Sequence, residues 1–162
     1  MILKHLNEFT DEDWFHAHQI MYDPAVNEIM GAQEVISNPL TLVSFYEYSI
    51  RANKRGLLEG WLIFSDDAPV GYVILDKRNG EWELGTAIQT EANRNAGIGV
   101  RAGLQAMKWA FETDESEWVT AFSQGTDTRV PRMMERMGFR RLYHIWVMDM
   151  ATWYDKWSRS VK

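Results

Sequence analysis

Cysteine is absent from all 162 residues, which excludes disulfides, thiolate metal sites and cysteine nucleophiles outright. Also missing is any apolar run near the roughly 20 residues that cross a bilayer. The opening Met1-Ile2-Leu3-Lys4-His5-Leu6-Asn7-Glu8 lacks a basic stretch followed by an apolar core, so a cytoplasmic protein without membrane contact is expected. Excess positive charge is lacking too. The 17 Lys and Arg against 23 Asp and Glu leave a formal charge of −6, which argues against broad nucleic-acid binding and suits a cationic acceptor better. No repeat, low-complexity tract or composition shift marks a linker. What is abundant is apolar and aromatic: 46% of residues are hydrophobic and 8 are tryptophan, enough to offset ordering entropy in one domain spanning residues 1–162.

Along the chain, Ile2 to Leu6 reads as a strand, and Thr10-Asp11-Glu12-Asp13 as the start of a helix running to about Met21. Asp23-Pro24, Gly31 and Asn38-Pro39 punctuate Tyr22 to Pro39 as loop, with at most a short helical turn. A second helix follows over about Leu40 to Ala52. Gly60 to Phe64, Val70 to Leu75 and Trp82 to Ile88 have strand character and are separated by turn-forming residues, which predicts an antiparallel meander. Val100, Leu104, Met107 and Phe111 form one helical stripe. Trp118 to Ser123 is a further strand. Val130, Met133, Met134 and Met137 repeat at helical spacing before Gly138, placed as a left-handed cap. Arg140 to Met150 reads as one long strand, and the tail from Ala151 adds a final turn. This order predicts an α+β fold, a mostly antiparallel sheet covered by helices, not a repeated βαβ unit.

The segment richest in chemistry is Trp82 to Ile88, a loop, and then Arg94-Asn95-Ala96-Gly97-Ile98-Gly99 opening the helix at Val100. A strand, a glycine turn and a helix amino terminus bring unpaired N–H groups together where the dipole favours an anion such as a pyrophosphate. By itself the pattern is equally a loop that turns a strand into a helix. A dinucleotide fingerprint would need a further glycine inside the helix, where Arg101 and Ala102 stand.

Arg94-x-x-Gly97-x-Gly99 after a Glu-Leu-Gly strand resembles the acyl-CoA pyrophosphate motif of the GCN5-related N-acetyltransferase (GNAT) family. The stretch Thr128 to Phe139, a short helix closed by Gly138-Phe139, resembles that family's second signature. The resemblance spans roughly Gly60 to Met150 and implies a GNAT-like sheet flanked by helices on both faces. It implies acetyl transfer from acetyl-CoA to a primary amine of a small molecule, peptide or protein, by direct attack. It further implies that Arg94, Asn95, Ala96, Gly97, Ile98, Gly99 and Val100 cradle the pyrophosphate. Ala87 and Ile88 would pair with the pantetheine amides, and Glu83 would act as general base. Gly85 and Ala87 alternate onto the Glu83 side of the strand, leaving room for a thioester or for ordinary packing.

The chain departs from the pattern at Asp127, where the family often has asparagine, and at Met134, where many members carry the tyrosine that protonates the leaving thiolate. Tyr143 and Ser123 are the substitute hydroxyls nearest in sequence. A module that binds acyl-CoA without turnover is the alternative that Met134 keeps open. Arg129 and Arg132 could reach cofactor phosphates or lie on a solvated face. His16-Ala17-His18 is not a metal pair, since residues two apart on a helix point away from each other. The aromatics Phe45, Tyr46, Tyr48, Trp61 and Phe64 fit an acceptor pocket or core, and Trp153, Tyr154 and Trp157 fit a cover for the sheet or the interface of a homodimer.

Overall fold

Several helices begin at caps made by their own sequence. Helix α1 (Asp11–Met21) opens with a capping box, in which Asp13 N–H donates to Thr10 Oγ1 at 3.3 Å and Thr10 N–H donates to Asp13 Oδ2 at 2.7 Å. Helix α2 (Pro24–Met30) occupies part of the stretch expected as loop. Its start is Asp23, whose Oδ1 accepts from Ala25 N–H at 2.8 Å, followed by Pro24 at the first helical position, where no N–H is needed. The pair Asp23-Pro24 thus starts a helix here. Among the described residues the other α-helices are α3 (Leu42–Lys54), α4 (Ile98–Glu112), α5 (Arg129–Met137) and α6 (Met150–Ser160). This is a computed structural model describing every residue except 31–38, 79, 91–92, 95, 123–128, 143–144 and 161–162.

The strands are β1 (Ile2–His5), β2 (Leu58–Ser65), β3 (Ala68–Arg78), β4 (Glu81–Ile88), β5 (Trp118–Phe122), β6 (Arg140–Leu142) and β7 (Ile145–Asp149). They form one sheet in the order β1-β2-β3-β4-β5-β7-β6, antiparallel throughout except for the parallel pair β4 and β5. The expected α+β plan with a mostly antiparallel sheet holds.

The tail differs from its expectation. Arg140 to Met150 is not one strand: β6 and β7 pair antiparallel as a hairpin, with Arg140 opposite Val147. The final turn is a full helix of 11 residues, capped by Asp149, which accepts from Thr152 N–H at 2.9 Å and Thr152 Oγ1 at 3.0 Å. That N–H foremost holds the Asp149 carboxyl below the usual carboxylate range.

Alternation along the strands builds a core on each face of the sheet. One cluster joins Trp82, Leu84 and Ile88 of β4 to α4, α5 and α6, through Ala102, Met107, Met137 and Trp153. Trp153 is fully buried and its Nε1–H donates to Leu104 O at 2.9 Å, which docks α6 on α4. The other cluster joins Ala87 of β4 and Tyr72 of β3 to α1, α2 and α3, through Trp14, Ile20, Val26 and Phe45. At the closed end of β4, Asp114 accepts from Trp82 Nε1–H at 2.7 Å and Lys77 Nζ at 2.9 Å. Burial opposes ionisation of Asp114, yet these donors outweigh it and keep the carboxyl below its usual range.

Candidate active site

Strand β4 pairs with β3 along its whole length, from Glu81 opposite Arg78 to Ile88 opposite Gly71. Strand β5 pairs with the other edge of β4 only at Trp82, Glu83 and Leu84 among the described residues. Beyond Leu84 no strand partner for the β5-side backbone of Gly85, Thr86, Ala87 and Ile88 lies among the described residues. Backbone polar groups inside a fold must find partners, and a ligand carrying amides can add itself as a strand.

This open edge leads to the amino terminus of α4. Gly97 caps that helix at φ +71°, a left-handed conformation that glycine adopts without strain, and as glycine it supplies no side-chain cap. The first N–H returning to the cap is that of Arg101, which donates to Gly97 O at 3.2 Å. The N–H groups of Ile98, Gly99 and Val100 lie ahead of it, at the positive end of the dipole.

Two guanidinium groups flank this turn. Arg94 donates from Nε to Ile88 O at 2.7 Å and from Nη2 to Gln89 O at 2.8 Å, so it straps the loop to the end of β4. It acts first as a positioning group, and its charge comes with it. Arg101 folds back along α4, as helical side chains do, and its Nη1 donates to Ala96 O at 3.2 Å. The same nitrogen lies 3.5 Å from where a Cβ on Gly97 would stand. The sequence signal for Arg101 was available, since a residue four positions after Gly97 leans over it.

On the other face of β4, Glu83 is half-buried and stands opposite Asp76 of β3 and Thr120 of β5. That face is the one covered by α1 and α2 farther along β4, where Ala87 packs. The space beside Gly85 is not open: Ile74 Cγ1 lies 3.0 Å from where its Cβ would be, and Ala87 is buried in core. The small residues of β4 therefore serve packing.

Of the residues singled out from sequence, Glu83, Ala87, Ile88, Arg94, Ala96, Gly97, Ile98, Gly99 and Val100 lie along β4, its connection to α4 and the start of α4. Asn95, Tyr143, Ser123 and Asp127 lie outside the described residues, as does the side chain of Arg129. Met134 is buried in core with 4% of its surface exposed, which is the filler reading of that position. Gly138 has φ +101°, so it does end α5 as a left-handed cap.

His18 Nε2 lies 2.8 Å from Leu40 O, and its ring packs on Tyr22 and Phe45. Phe45 is core, while Tyr46 and Tyr48 are exposed. The buried Glu59, 2.6 Å from His5 Nε2 and 2.9 Å from Asn53 Nδ2, carried no signal in the sequence pattern. Among the described residues no group of three or more His, Cys, Asp or Glu could hold a metal, and no helix is long and apolar enough to cross a membrane.

Residues 5–140 match the family model described as an acetyltransferase (GNAT) domain. No curated protein matches the sequence. Solved structures share the fold at low identity. A ribosomal-protein-alanine N-acetyltransferase from Brucella melitensis superposes with a TM-score of 0.73 at 15% identity, over 93% of this chain and 100% of that one. The aminoglycoside acetyltransferase AAC(6′)-Ib, solved in complex with ribostamycin and coenzyme A, gives 0.72 at 15%, over 90% and 93%. A GNAT-family acetyltransferase from Bacillus anthracis gives 0.68 at 17%, over 92% and 95%. With a model match over most of its length and a sheet whose one parallel pair lies where the motif sits, the chain belongs to the GNAT acetyltransferase family.

Proposed function

We propose that this chain is an acetyltransferase that takes its acetyl group from acetyl-CoA and passes it to a primary amine in a ternary complex. The observation that carries this reading is the edge of β4 beyond Leu84, which has no β5-side strand partner among the described residues and leads to an α4 amino terminus capped by a glycine in the left-handed conformation. Acetyl-CoA would supply an acetyl group activated as a thioester. The N–H groups of Ile98, Gly99 and Val100, with Arg101, would hold its pyrophosphate. The open edge at Ala87 and Ile88 would align its amide-bearing arm and present an N–H to the thioester carbonyl. Arg94 would keep that edge in place through its bonds to Ile88 and Gln89.

An amine acceptor is favoured by charge. Asp76 and Glu83 stand in register on adjacent strands, two carboxylates on one face, within a protein of formal charge −6. Glu83 would take the proton of the incoming ammonium, directly or through water. AAC(6′)-Ib is an aminoglycoside acetyltransferase and the Brucella protein a ribosomal-protein-alanine N-acetyltransferase, so a small-molecule and a protein acceptor are both represented among the similar folds. A second reading, an acyl-CoA-binding module without turnover, is favoured by one observation: Met134 fills core where many family members carry a proton-donating tyrosine.

Coenzyme A at a hundred times its dissociation constant should stabilise the protein by about 2.7 kcal/mol. For a chain of this size that corresponds to a melting temperature raised by roughly 5–10 °C. A melting curve unmoved by millimolar coenzyme A would sink the proposal.

A further inference from the structure

On the face of the sheet that carries Glu83, helices α1, α2 and α3 pack against β2, β3 and β4. The residues that β5, β7 and β6 turn to the same side keep contact with solvent. Thr120, Ile145 and Val147 are half-buried, and Leu142 is 52% exposed. Register ties this surface to the candidate base: Glu83 stands opposite Thr120, Thr120 opposite Val147, and Val147 opposite Arg140. One row therefore runs outward from Glu83. At the usual strand spacing Val147 lies about 10 Å from Glu83 across the sheet, with Ile145 and Leu142 paired in the adjoining row.

This surface offers apolar contact and little else. The Thr120 hydroxyl donates to Trp82 O at 3.2 Å. Among the described residues these strands add one carboxylate to the face, Asp149, which lies 3.2 Å from Arg140 Nη2. Strand β7 is paired on both edges, so its backbone is engaged in the ladder. Peptide amides or sugar hydroxyls laid there would lose water without gaining partners. The patch measures roughly 200–300 Å² at standard strand dimensions. A stable dimer needs about 800 Å² per partner, so a second copy of the chain does not suit it.

We infer that the preferred acceptor is a small apolar primary amine, its ammonium beside Asp76 and Glu83 and its alkyl or aryl body laid over Thr120, Val147 and Ile145. The inference rests on the acetyl-transfer reading above and narrows its acceptor class. Charge places the nitrogen, because two carboxylates stand in register on β3 and β4. The apolar strands beside them decide what that nitrogen is attached to.

The test is steady-state acetyl transfer to unbranched alkylamines from ethylamine to hexylamine, to 3-phenylpropylamine, to an aminoglycoside and to a short peptide with a free amino terminus. kcat/KM should rise about two- to fourfold with each added methylene. The rate with 3-phenylpropylamine should exceed those with the aminoglycoside and the peptide at least about tenfold, since neither can bury its polar groups there unpaired. In Val147→Thr, which a half-exposed strand accommodates, the preference for hexylamine over ethylamine should shrink at least about threefold. That change should come from KM for hexylamine, with KM for acetyl-CoA unmoved, and Ile145→Thr should act in the same direction. Rates indifferent to chain length, an aminoglycoside or peptide better than 3-phenylpropylamine, or an unchanged preference in both variants would each overturn the inference and leave acetyl transfer standing. Transfer to none of these amines would overturn the acetyl-transfer reading, and the acceptor class with it.

Discussion

Gly97→Asp is expected to lower coenzyme A affinity by at least about a hundredfold while leaving the far-ultraviolet circular dichroism of the protein native. Gly97 caps α4 with φ +71°, a region that aspartate tolerates better than most residues, so the backbone cost is about 1–2 kcal/mol and the fold should survive. The cost to binding is larger. A carboxylate about 4 Å from a phosphate charge repels it by about 4 kcal/mol at an effective dielectric constant near 20. The new carboxylate would also engage Arg101, whose Nη1 lies 3.5 Å from the Cβ position, and so withdraw a cation from the site. Both effects act against the phosphate. Titration of the variant by calorimetry gives the answer, and an affinity within threefold of wild type would move the cofactor away from this turn.

The second large effect is expected at Glu83. An alkylamine has an ordinary pKa of about 10.4, so near neutral pH the acceptor arrives as an ammonium and must lose a proton before it can attack. A positioned general base contributes typically 10²–10⁴-fold, and Glu83→Gln removes that function while keeping the shape of the side chain. kcat/KM should therefore drop by about 10²-fold at pH 7, with coenzyme A affinity unchanged because Glu83 lies on the face of β4 opposite α4. The deficit should shrink as pH rises towards the pKa of the acceptor, since free amine then forms without help. A residue that only shaped the pocket would show the same deficit at every pH. Full activity of Glu83→Gln from pH 6 to 10 would remove Glu83 from the proton path.

The parts of this fold that were legible in the sequence are those whose signal is local and periodic. The stripe Val100, Leu104, Met107, Phe111 marked α4, and the structure buries Leu104, Met107 and Phe111 in one cluster. Alternation along β4 separated Trp82, Leu84 and Ile88 from Glu83, Gly85 and Ala87, and the two sets do face different cores. Helix α2 was hidden because Pro24 breaks a helix from within but favours its first position, and only the cap by Asp23 distinguishes the two. The β6–β7 hairpin was hidden because Arg140 to Asp149 contains no glycine, proline or asparagine to mark a turn.

The site was legible in its glycine turn and not in its side-chain directions. That Arg94 would spend two donors on backbone carbonyls, that Arg101 would lean over Gly97, and that Ile74 would fill the space beside Gly85 are outcomes of tertiary packing. Two residues of one strand show the limit well. Glu83 was found by its chemistry, whereas Thr86 reads as an ordinary β-former, and that its buried hydroxyl has no partner among the described residues is an outcome of packing.

Acetyl transfer itself is tested most directly by thiol release. The chain contains no cysteine, so a thiol-reactive chromogenic disulfide reports only coenzyme A set free from acetyl-CoA. With a panel of primary amines spanning aminoglycosides, polyamines and peptides with free amino termini, at least one acceptor should release thiol in a one-to-one ratio with acetylated amine found by mass spectrometry. Release should require the protein, acetyl-CoA and the amine together. Tight acetyl-CoA binding with thiol release no faster than in protein-free controls across the whole panel would contradict the account, and would leave the chain as an acyl-CoA-binding module with Met134 at its centre.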